Sequence, residues 1–169
     1  MQKAVGMLNY LALHTQPKIT FTFSLLAQFT KKPTVSHWSL IKHLLRYLNG
    51  TKDLDLHFTK PQSEGAELLG WEDVDYATSL VTKKSHSGNF ITFMANPVLW
   101  NTKKQLINPK STNEAKFISM NKCSKELQWV AKLLIMLKIT LRITENTNEN
   151  TGALVIRKEE HLKPNSEHI

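Results

Sequence analysis

The chain has 169 residues and 41% of them are hydrophobic, which is enough for one full domain or for a small domain with part of another. Lysine and arginine outnumber aspartate and glutamate by 22 to 14, and the net charge of +8 favours an anionic partner such as nucleic acid. The single cysteine excludes an internal disulfide and suits a reducing compartment, and no apolar run approaches the length of a bilayer span. We therefore expect a soluble intracellular protein, cytoplasmic or nuclear, with no membrane partner.

Residues 1–60 are predicted to be mainly helical. A first helical run, "AVGMLNYLALHT", ends before Pro17, and "KITFTFSLLAQF" follows it. In this second run the apolar residues alternate as in a strand over part of the length, but their spacing also fits one face of a helix. The length of the run favours a helix.

The next segment, "TVSHWSLIKHLLRYLNGT", has the pattern of an amphipathic helix that Ser36 can cap and Gly50 can end. Lys42 and Arg46 are four residues apart and therefore share a face that fits a phosphate backbone, although a solvated basic face explains them equally well. The apolar positions of this helix are four in number, and the first three of them, Trp38, Ile41 and Leu45, are expected to contact the later part of the chain or to stay partly exposed. The fourth is Leu48.

From residue 61 onward the pattern changes from helical to extended, and we place a domain boundary there, between residues 1–60 and 61–169. Three runs of strand-forming residues follow, and the "ANP" turn should join the last two as a hairpin. "ITLRIT" is expected to make a fourth strand, and a helix is expected from about Ala153 to Glu160. The three runs are "LLGWEDVDYA", "SGNFITFMA" and "PVLWNTKKQ".

A long helix is expected between the third and fourth strands, from about Thr112 to Leu137, packed across one face of the sheet. Its apolar stripe is typical of a core-facing helix rather than of a cofactor site, and we expect many contacts with Phe90 or Phe93. This order of elements predicts an α/β fold. The stripe consists of Met120, Cys123, Leu127, Val130, Leu134 and Leu137.

Acidic residues fall where separate elements can meet at one end of the sheet. Asp73 and Asp75 share a face of their strand because side chains alternate with period two. Glu114 lies in the first turn of the long helix, where the helix dipole favours a carboxylate, and Glu149 follows the fourth strand. Phosphodiester hydrolysis by two divalent metals needs such a cluster, because Mg²⁺ prefers oxygen ligands. Roles as loop and cap residues explain the same acids on spacing alone.

Two sets of motifs resemble one known family. The stretch from "AVGMLNYLA" to "HWSLIKHLLRYLNGT" resembles the end of the reverse transcriptase region of copia-type LTR retrotransposon Pol polyproteins. "DVDYATSLVTKKSHSG", "LWNTKKQ" and "STNEAKFIS" are similar to motifs of the ribonuclease H domain that follows it. The resemblance covers nearly all of the chain. It implies a ribonuclease H-like mixed sheet with a long packed helix, preceded by a mostly helical segment from the reverse transcriptase connection.

The resemblance assigns a two-metal Mg²⁺ site to three acids of this chain. The family's first metal-binding aspartate falls on Asp73, its glutamate at the start of the long helix on Glu114, and its third acid, an aspartate, on Glu149. The fourth acid would follow Ile169 directly, so the resemblance implies a C-terminally truncated domain. Because one acid is altered and another is lost, we expect cleavage of the RNA strand of an RNA–DNA hybrid to be weak or absent.

Other departures from the family pattern make the site less acidic. Thr78 and Ser79 replace a Gly-Asp pair, and Lys116 replaces a glutamate in the long helix. Both changes are expected to weaken a metal site.

Two alternatives to an impaired enzyme remain open. One is a nucleic-acid-binding module without catalysis, and the other is a transposon relic without a selected function. The N-terminal helices, which in the family pack against polymerase elements, are expected to promote self-association through exposed apolar surface. Phosphate contacts of a binding module would come from Lys42, Arg46, Lys83, Lys84, Lys103 and Lys104.

Overall fold

The computed structural model describes residues 1–60, 66–79 and 82–139, and the backbone alone of residues 141–142 and 153–155. Within these residues three helices precede a sheet and a fourth helix follows the third strand. The chain is a mixed α/β protein, as the sequence predicted. In chain order the elements are α1 (Gln2–His14), a 3₁₀ turn (Pro17–Ile19), α2 (Thr20–Ala27), α3 (Val35–Gly50), β1 (Ala66–Asp75), β2 (His86–Phe93), β3 (Asn96–Lys104), α4 (Thr112–Met136), β4 (Leu141–Arg142) and β5 (Ala153–Val155).

The N-terminal helices form where the sequence predicted them. α1 ends at His14, Pro17 opens the 3₁₀ turn because a helix start tolerates its missing N–H, and the run after it is helical rather than extended. The cap of α3 differs from the prediction, because Thr34 and not Ser36 is the N-cap. The Thr34 hydroxyl accepts from the His37 N–H at 3.4 Å, and the Thr34 N–H donates to His37 Nδ1 at 3.0 Å. Ser36 already lies inside the first turn.

Residues 1–60 enclose a hydrophobic cluster of their own. Ile41 is fully buried in it, whereas Trp38 and Leu45 are 42% and 47% exposed. The buried side of α3 is centred on Ile41 and Leu44, so the expectation that Ile41 would contact the later part of the chain or stay exposed is wrong. α1 and α2 supply the residues that cover this side. The buried members are Val5, Leu8, Ala12, Ile19, Leu26, Ile41 and Leu44.

The sheet has the strand order β3-β2-β1-β4, and β5 pairs with β1 in addition. β1, β2 and β3 are antiparallel neighbours, while β4 runs parallel to β1. The predicted hairpin between β2 and β3 is confirmed. Its two-residue turn is Met94-Ala95, whose φ angles of 51° and 62° are the left-handed values that a type I′ turn requires.

The last two strands test two predictions. β4 confirms a strand inside "ITLRIT". The helix expected from Ala153 to Glu160 is wrong at Ala153–Val155, which form the antiparallel strand β5. β4 pairs with only the first two residues of β1, so the main-chain groups of Leu69–Trp71 need other partners, and β5 supplies them. The remainder of that expected helix lies outside the described residues.

α4 packs across one face of the sheet, as predicted. Gly70 permits the close approach, because a Cβ at this position would lie 3.2 Å from both Cys123 Sγ and Leu127 Cδ1. The two ends of the predicted stripe differ from expectation, since Met120 and Leu137 are 36% and 63% exposed. The core under α4 comprises Leu68, Ile91, Leu127, Val130, Ala131 and Leu134, with Phe93 packed against it.

The N-terminal helices cover the opposite face of the sheet. The indole N–H of Trp100 donates to the main-chain oxygen of Ala12 in α1 at 2.7 Å. Phe21 of α2 meets the His86 ring edge-on, with 5.8 Å between the ring centroids. The sheet is thus enclosed between α4 on one side and the helical segment on the other.

Asn96 fixes the end of the helical segment to the hairpin. Its Oδ1 accepts from the Thr59 N–H at 2.7 Å, and its Nδ2 donates to the main-chain oxygen of Thr59 at 3.0 Å. Residues 61–65 lie outside the described part of the chain, and the domain boundary near residue 61 stays a prediction. None of the described helices combines the length and the hydrophobicity that crossing a bilayer requires.

A chain of hydrogen bonds fixes the charge state of His86 where α2 meets the sheet. Lys104 Nζ donates to Gln28 Oε1 at 3.1 Å, which orients the Gln28 amide so that its Nε2 donates to His86 Nε2 at 3.1 Å. An accepting Nε2 requires neutral imidazole. Burial lowers the pKa of His86, the charge of Lys104 lowers it further, and Asp75 opposes this shift. Protonation would set an N–H of the ring against the Gln28 amide N–H.

Acidification should therefore loosen α2 from the sheet. The pKa of His86 lies below its ordinary value of 6.5 in the folded protein, so the neutral ring stabilises the fold fully above that pH. Stability is lost as the pH falls through the folded pKa. We expect the thermal midpoint to fall between about pH 7.5 and about pH 5.5, and to fall less in His86→Gln, as measured by scanning calorimetry.

The control for this pH dependence is His43→Gln, at an exposed position on α3. It should retain the full dependence of the parent chain. An equal dependence in all three proteins would contradict the assignment to His86.

Gly70→Ala should destabilise the packing of α4. The added methyl group must displace Cys123 or Leu127, at a cost of about 1–3 kcal/mol in the free energy of unfolding measured with urea. The matched control is Gly50→Ala, because a Cβ at Gly50 meets nothing within 4 Å and should leave stability unchanged or slightly higher. Equal effects of the two substitutions would argue against the close approach at Gly70.

Candidate nucleic-acid and metal site

Asp73 lies on the face of the sheet that the N-terminal helices cover. Gly70 faces α4. Because side chains alternate along a strand, Glu72 also faces α4, and Asp73 and Asp75 point to the opposite face. The two aspartates therefore share a face, as predicted. Asp73 Oδ1 accepts from the N–H of Val74 at 2.8 Å.

A pocket of about 260 Å³ opens beside Asp73. It lies over two neighbouring rows of residues that cross β1, β2 and β3, an aromatic row and a polar row, and the helical segment closes one side. Trp71 is 38% exposed, so the pocket is open to solvent. The aromatic row is Trp71, Phe90 and Trp100, the polar row is Asp73, Gly88 and Thr102, and the helical side is Pro17 and Thr20.

Glu114 caps the start of α4. The hydroxyl of Ser111, the N-cap, accepts from the Glu114 N–H at 3.1 Å, and Glu114 Oε2 accepts from the Lys110 N–H at 2.6 Å. The Ser119 hydroxyl donates to the main-chain oxygen of Asp73 at 3.4 Å, so the start of α4 crosses β1 near Asp73. Glu114 is five residues before Ser119, about 7.5 Å along the helix axis.

The first two acids of the predicted metal site thus lie in one region of the sheet, with Asp73 and α4 on opposite faces. Glu149 lies outside the described residues. Within the described ranges no three His, Cys, Asp or Glu side chains are grouped so that they could hold a metal ion. The Mg²⁺ site of Asp73, Glu114 and Glu149 therefore stays a prediction.

The basic residues predicted to contact phosphates lie on separate parts of the structure. Lys42 and Arg46 are exposed on α3, where Arg46 Nε donates to the Lys42 oxygen at 3.4 Å. Lys83 is exposed in the loop after β1 and has a φ of 51°. The amine of Lys84 donates to the main-chain oxygen of Leu106.

Lys103 and Lys104 end β3 and point to opposite faces of the sheet. Lys103 is exposed, whereas the Lys104 amine donates to Gln28 and, at 3.2 Å, to Ser79 Oγ. Lys104 holds α2 to the sheet, and a phosphate contact would compete with these bonds. The phosphate-binding role of the six residues stays a prediction.

A buried polar layer between α4 and the sheet had no signal in the sequence. Asn89 is 7% exposed and has no hydrogen-bond partner at either end of its amide, and Glu72 Oε2 is also buried without one in the described structure. Lys122 Nζ donates to Asn101 Oδ1 at 2.8 Å, and burial, helped by Lys103, lowers the pKa of Lys122. Alternation along β2 predicts an apolar side chain at the position of Asn89, so only packing reveals this layer.

Cys123 is a core residue, as expected from the stripe. Burial, helped by the nearby charges of Glu72 and Glu126, raises the pKa of its thiol to about 11. The thiol therefore stays protonated, and a protonated thiol is a poor nucleophile and a poor metal ligand.

Comparison with known proteins identifies the origin of the chain. No family model and no solved structure matches it. The retrovirus-related Pol polyprotein from transposon RE2 of Arabidopsis thaliana is 35% identical over 137 residues, 81% of this chain and 9% of that protein. The corresponding polyprotein from transposon TNT 1-94 of Nicotiana tabacum is 33% identical over 131 residues, 78% of this chain and 10% of that protein.

A shorter relative is covered almost completely. Secreted RxLR effector protein 161 of Plasmopara viticola is 32% identical over 127 residues, 75% of this chain and 88% of that protein. The chain belongs to the family of retrovirus-related Pol polyproteins from copia-type transposons. It spans about a tenth of the length of the polyproteins that it matches.

The capping role of Glu114 is testable without a metal. Glu114→Ala removes the acceptor for the Lys110 N–H and should lower the free energy of unfolding by about 0.5–1 kcal/mol in urea. Glu114→Gln keeps an oxygen at the same place and should lose less. If both substitutions cost the same, the hydrogen bond to Lys110 does not stabilise the helix.

Proposed function

We propose that this chain is a ribonuclease H-like module of a Pol polyprotein that binds RNA–DNA hybrid or other nucleic acid and cleaves the RNA strand weakly or not at all. The observation that carries the proposal is the position of two acids. Asp73 lies in the second half of the interior strand β1, and Glu114 lies in the first turn of the helix that crosses β1 beside Asp73. Three antiparallel strands, then a helix, then a strand parallel to the first support the same assignment.

The donor set fits Mg²⁺. Asp73 and Glu114 offer carboxylate oxygens, which hard cations prefer, and a main-chain N–H engages only one oxygen of each in the described structure. In the proposal these two residues hold Mg²⁺ together with Glu149. The bound metal would activate a water molecule and neutralise charge on the phosphate.

Three features support weak cleavage. Glu114 must leave the Lys110 N–H before both of its oxygens can serve a metal. Asp73 faces the N-terminal helices rather than α4. Glu149 is one methylene longer than the aspartate of the family pattern, and a displacement of about 1 Å at a catalytic group can cost about a hundredfold in rate.

The loop after β1 is held by hydroxyl groups where the family pattern has an acid. Thr78 Oγ1 donates to the main-chain oxygen of Asp75 at 2.8 Å, and Thr82 Oγ1 donates to Ser79 Oγ at 2.7 Å. Lys116 is exposed in the first part of α4. The field around the proposed metal is therefore less acidic than the family pattern implies.

Nucleic-acid binding is supported by charge. The net charge of +8 attracts a polyanion, and this attraction needs no particular base sequence. Lys42, Arg46, Lys83 and Lys103 are exposed and available for phosphate contacts. Affinity should therefore fall as salt rises.

A non-catalytic binding module is the second candidate. The cap formed by Glu114 favours it, because this role gives the acid a structural purpose that needs no metal. A relic without a selected function would bind neither Mg²⁺ nor hybrid specifically.

Magnesium separates the candidates. If Asp73 is a ligand, millimolar Mg²⁺ should raise the thermal midpoint above that in EDTA, and Asp73→Asn should abolish the rise. Asp75→Asn, on the same face of the same strand, is the control and should keep it. Cleavage of a labelled RNA–DNA hybrid should be weak in the parent chain and stronger in Glu149→Asp.

Two results would contradict this assignment. If Mg²⁺ leaves the thermal midpoint of the parent chain and of every variant unchanged, the chain has no metal site, and the non-catalytic binding module is the better-supported function. Fast Mg²⁺-dependent cleavage by the parent chain, lost in Asp73→Asn, would show that the site is intact.

The proposal includes self-association through the N-terminal helices. Met7 and Tyr10 on α1 are each 64% exposed, and Val35 and Leu40 on α3 are 83% and 52% exposed. Exposed apolar residues at this density promote association. Sedimentation velocity should show the average mass rising with concentration, and less so in Tyr10→Lys; a constant monomer mass would contradict it.

A further inference from the structure

The pocket beside Asp73 has the composition of a site for a flat, polar-edged ligand. Trp71 lies directly opposite Phe90 in the strand register, and Phe90 lies opposite Trp100, so three aromatic side chains stand in neighbouring positions on one wall of the pocket. The hydrogen bond from Trp100 to Ala12 fixes one end of this wall. Aromatic walls of this kind bind planar rings by stacking.

The polar row next to the wall leaves room for such a ring. Gly88 stands between Asp73 and Thr102. A Cβ at Gly88 would have Asp73 O and Thr102 Oγ1 as its nearest neighbours, each at 3.9 Å, which is an ordinary contact distance. The absence of a side chain at Gly88 is therefore not required by packing, but it keeps the floor of the pocket flat.

Asp73 determines which ring edge fits. A carboxylate only accepts hydrogen bonds, and among the described residues no basic side chain pairs with the Asp73 carboxylate, whose one hydrogen bond comes from the Val74 N–H. A ligand must therefore present donors to it. Two adjacent donors on one edge fit best, because they engage both carboxylate oxygens.

We infer that the pocket binds an unpaired guanine base of a nucleic-acid strand, stacked on the aromatic wall with its Watson–Crick edge on Asp73. Guanine presents two adjacent donors on that edge, N1–H and the N2 amino group. Adenine and cytosine present one amino group beside an acceptor nitrogen, and uracil presents one N–H between two carbonyl oxygens. This inference rests on the nucleic-acid partner of the proposed function and adds the base that one subsite selects.

The surroundings suit a strand rather than a free base. Lys18 is exposed in the 3₁₀ turn. It directly follows Pro17 and lies two residues before Thr20, and both of these residues line the pocket. A base in the pocket would bring its own phosphate near this turn, where a lysine can contact it. A volume of about 260 Å³ admits one base but no duplex.

The test is binding of fluorescently labelled single-stranded RNA to the full chain in EDTA, measured by anisotropy. One oligonucleotide is all uridine and the other carries a single central guanosine. The guanosine strand should bind about tenfold or more tightly, because a bidentate contact to a base discriminates by about 1–3 kcal/mol. Inosine in place of guanosine lacks the amino group and should lose most of the preference.

Gly88→Ala is the diagnostic substitution. Its methyl group fits the fold but occupies the floor of the pocket, so the guanosine preference should disappear while the thermal midpoint stays close to that of the parent chain. Asp73→Asn should also abolish the preference. Gly50→Ala, remote from the pocket on α3, is the matched control and should keep it.

The outcomes separate the inference from the proposed function. Equal, salt-sensitive binding of both strands would overturn the guanine site and leave nucleic-acid binding intact, whereas no binding of either strand would overturn both. A preference that survives Gly88→Ala would overturn the location. If guanosine monophosphate competes for the pocket as strongly as the unlabelled guanosine strand does, the ligand is a free nucleotide and not a base within a strand. Displacement of the strand by arginine or spermidine from the parent but not from Gly88→Ala would mark a site for organic cations and overturn the inference.

Discussion

Side-chain alternation along β1 divides this protein into two interfaces, because helices cover both faces of that strand. Gly70 lets Cys123 and Leu127 of α4 approach one face closely. Trp71 and Asp73 point to the other face, toward the N-terminal helices. Each carboxylate on β1 therefore lies in only one of the two interfaces. Glu72 faces α4, whereas Asp73 and Asp75 face the N-terminal helices.

The two interfaces are chemically different. α4 and the sheet share an apolar cluster, whereas α1, α2 and α3 have a separate cluster that does not include any strand residue. The N-terminal helices instead meet the sheet through aromatic edges and polar bonds, such as those that join Lys104, Gln28 and His86. Such contacts depend on charge state, while apolar burial does not. The attachment of α2 to the sheet therefore depends on the charge state of His86.

The two partners that we propose for Asp73, Mg²⁺ and a base, exclude each other. Mg²⁺ and the edge of a base need the same carboxylate lone pairs, and each of them also needs neighbours of its own. A metal needs further acids, and Glu114 is engaged as a cap in the described structure. A base needs a stacking wall, and Trp71 with Phe90 already stands beside Asp73. The resemblance of the motifs around Asp73 and Glu114 supports the first proposal, and the residues that line the pocket support the second.

Short-range features of the sequence predicted much of the fold. The hairpin, the long helix from Thr112 and the burial of Leu127 and Val130 followed from turn residues and from apolar periodicity. These patterns depend on residues that are close in sequence, and local backbone geometry determines them. Spacing made Asp73 and Glu114 candidate site residues, and the resemblance carried by "DVDYA" and "STNEA" assigned them to one metal site.

Long-range packing decided the rest. Periodicity could not show that α1 and α2 would bury Ile41, because that requires knowing which elements meet. It could not show that Asn89 would face α4 without a partner, or that Gln28 would hold His86 neutral from 58 residues away. The sequence by itself determined helices α1 to α4, strands β1 to β4 and the middle of the apolar stripe of α4, but not strand β5. Tertiary structure decided which acids, bases and rings come together, because these contacts join residues whose separation in the chain carries no record of their distance in space.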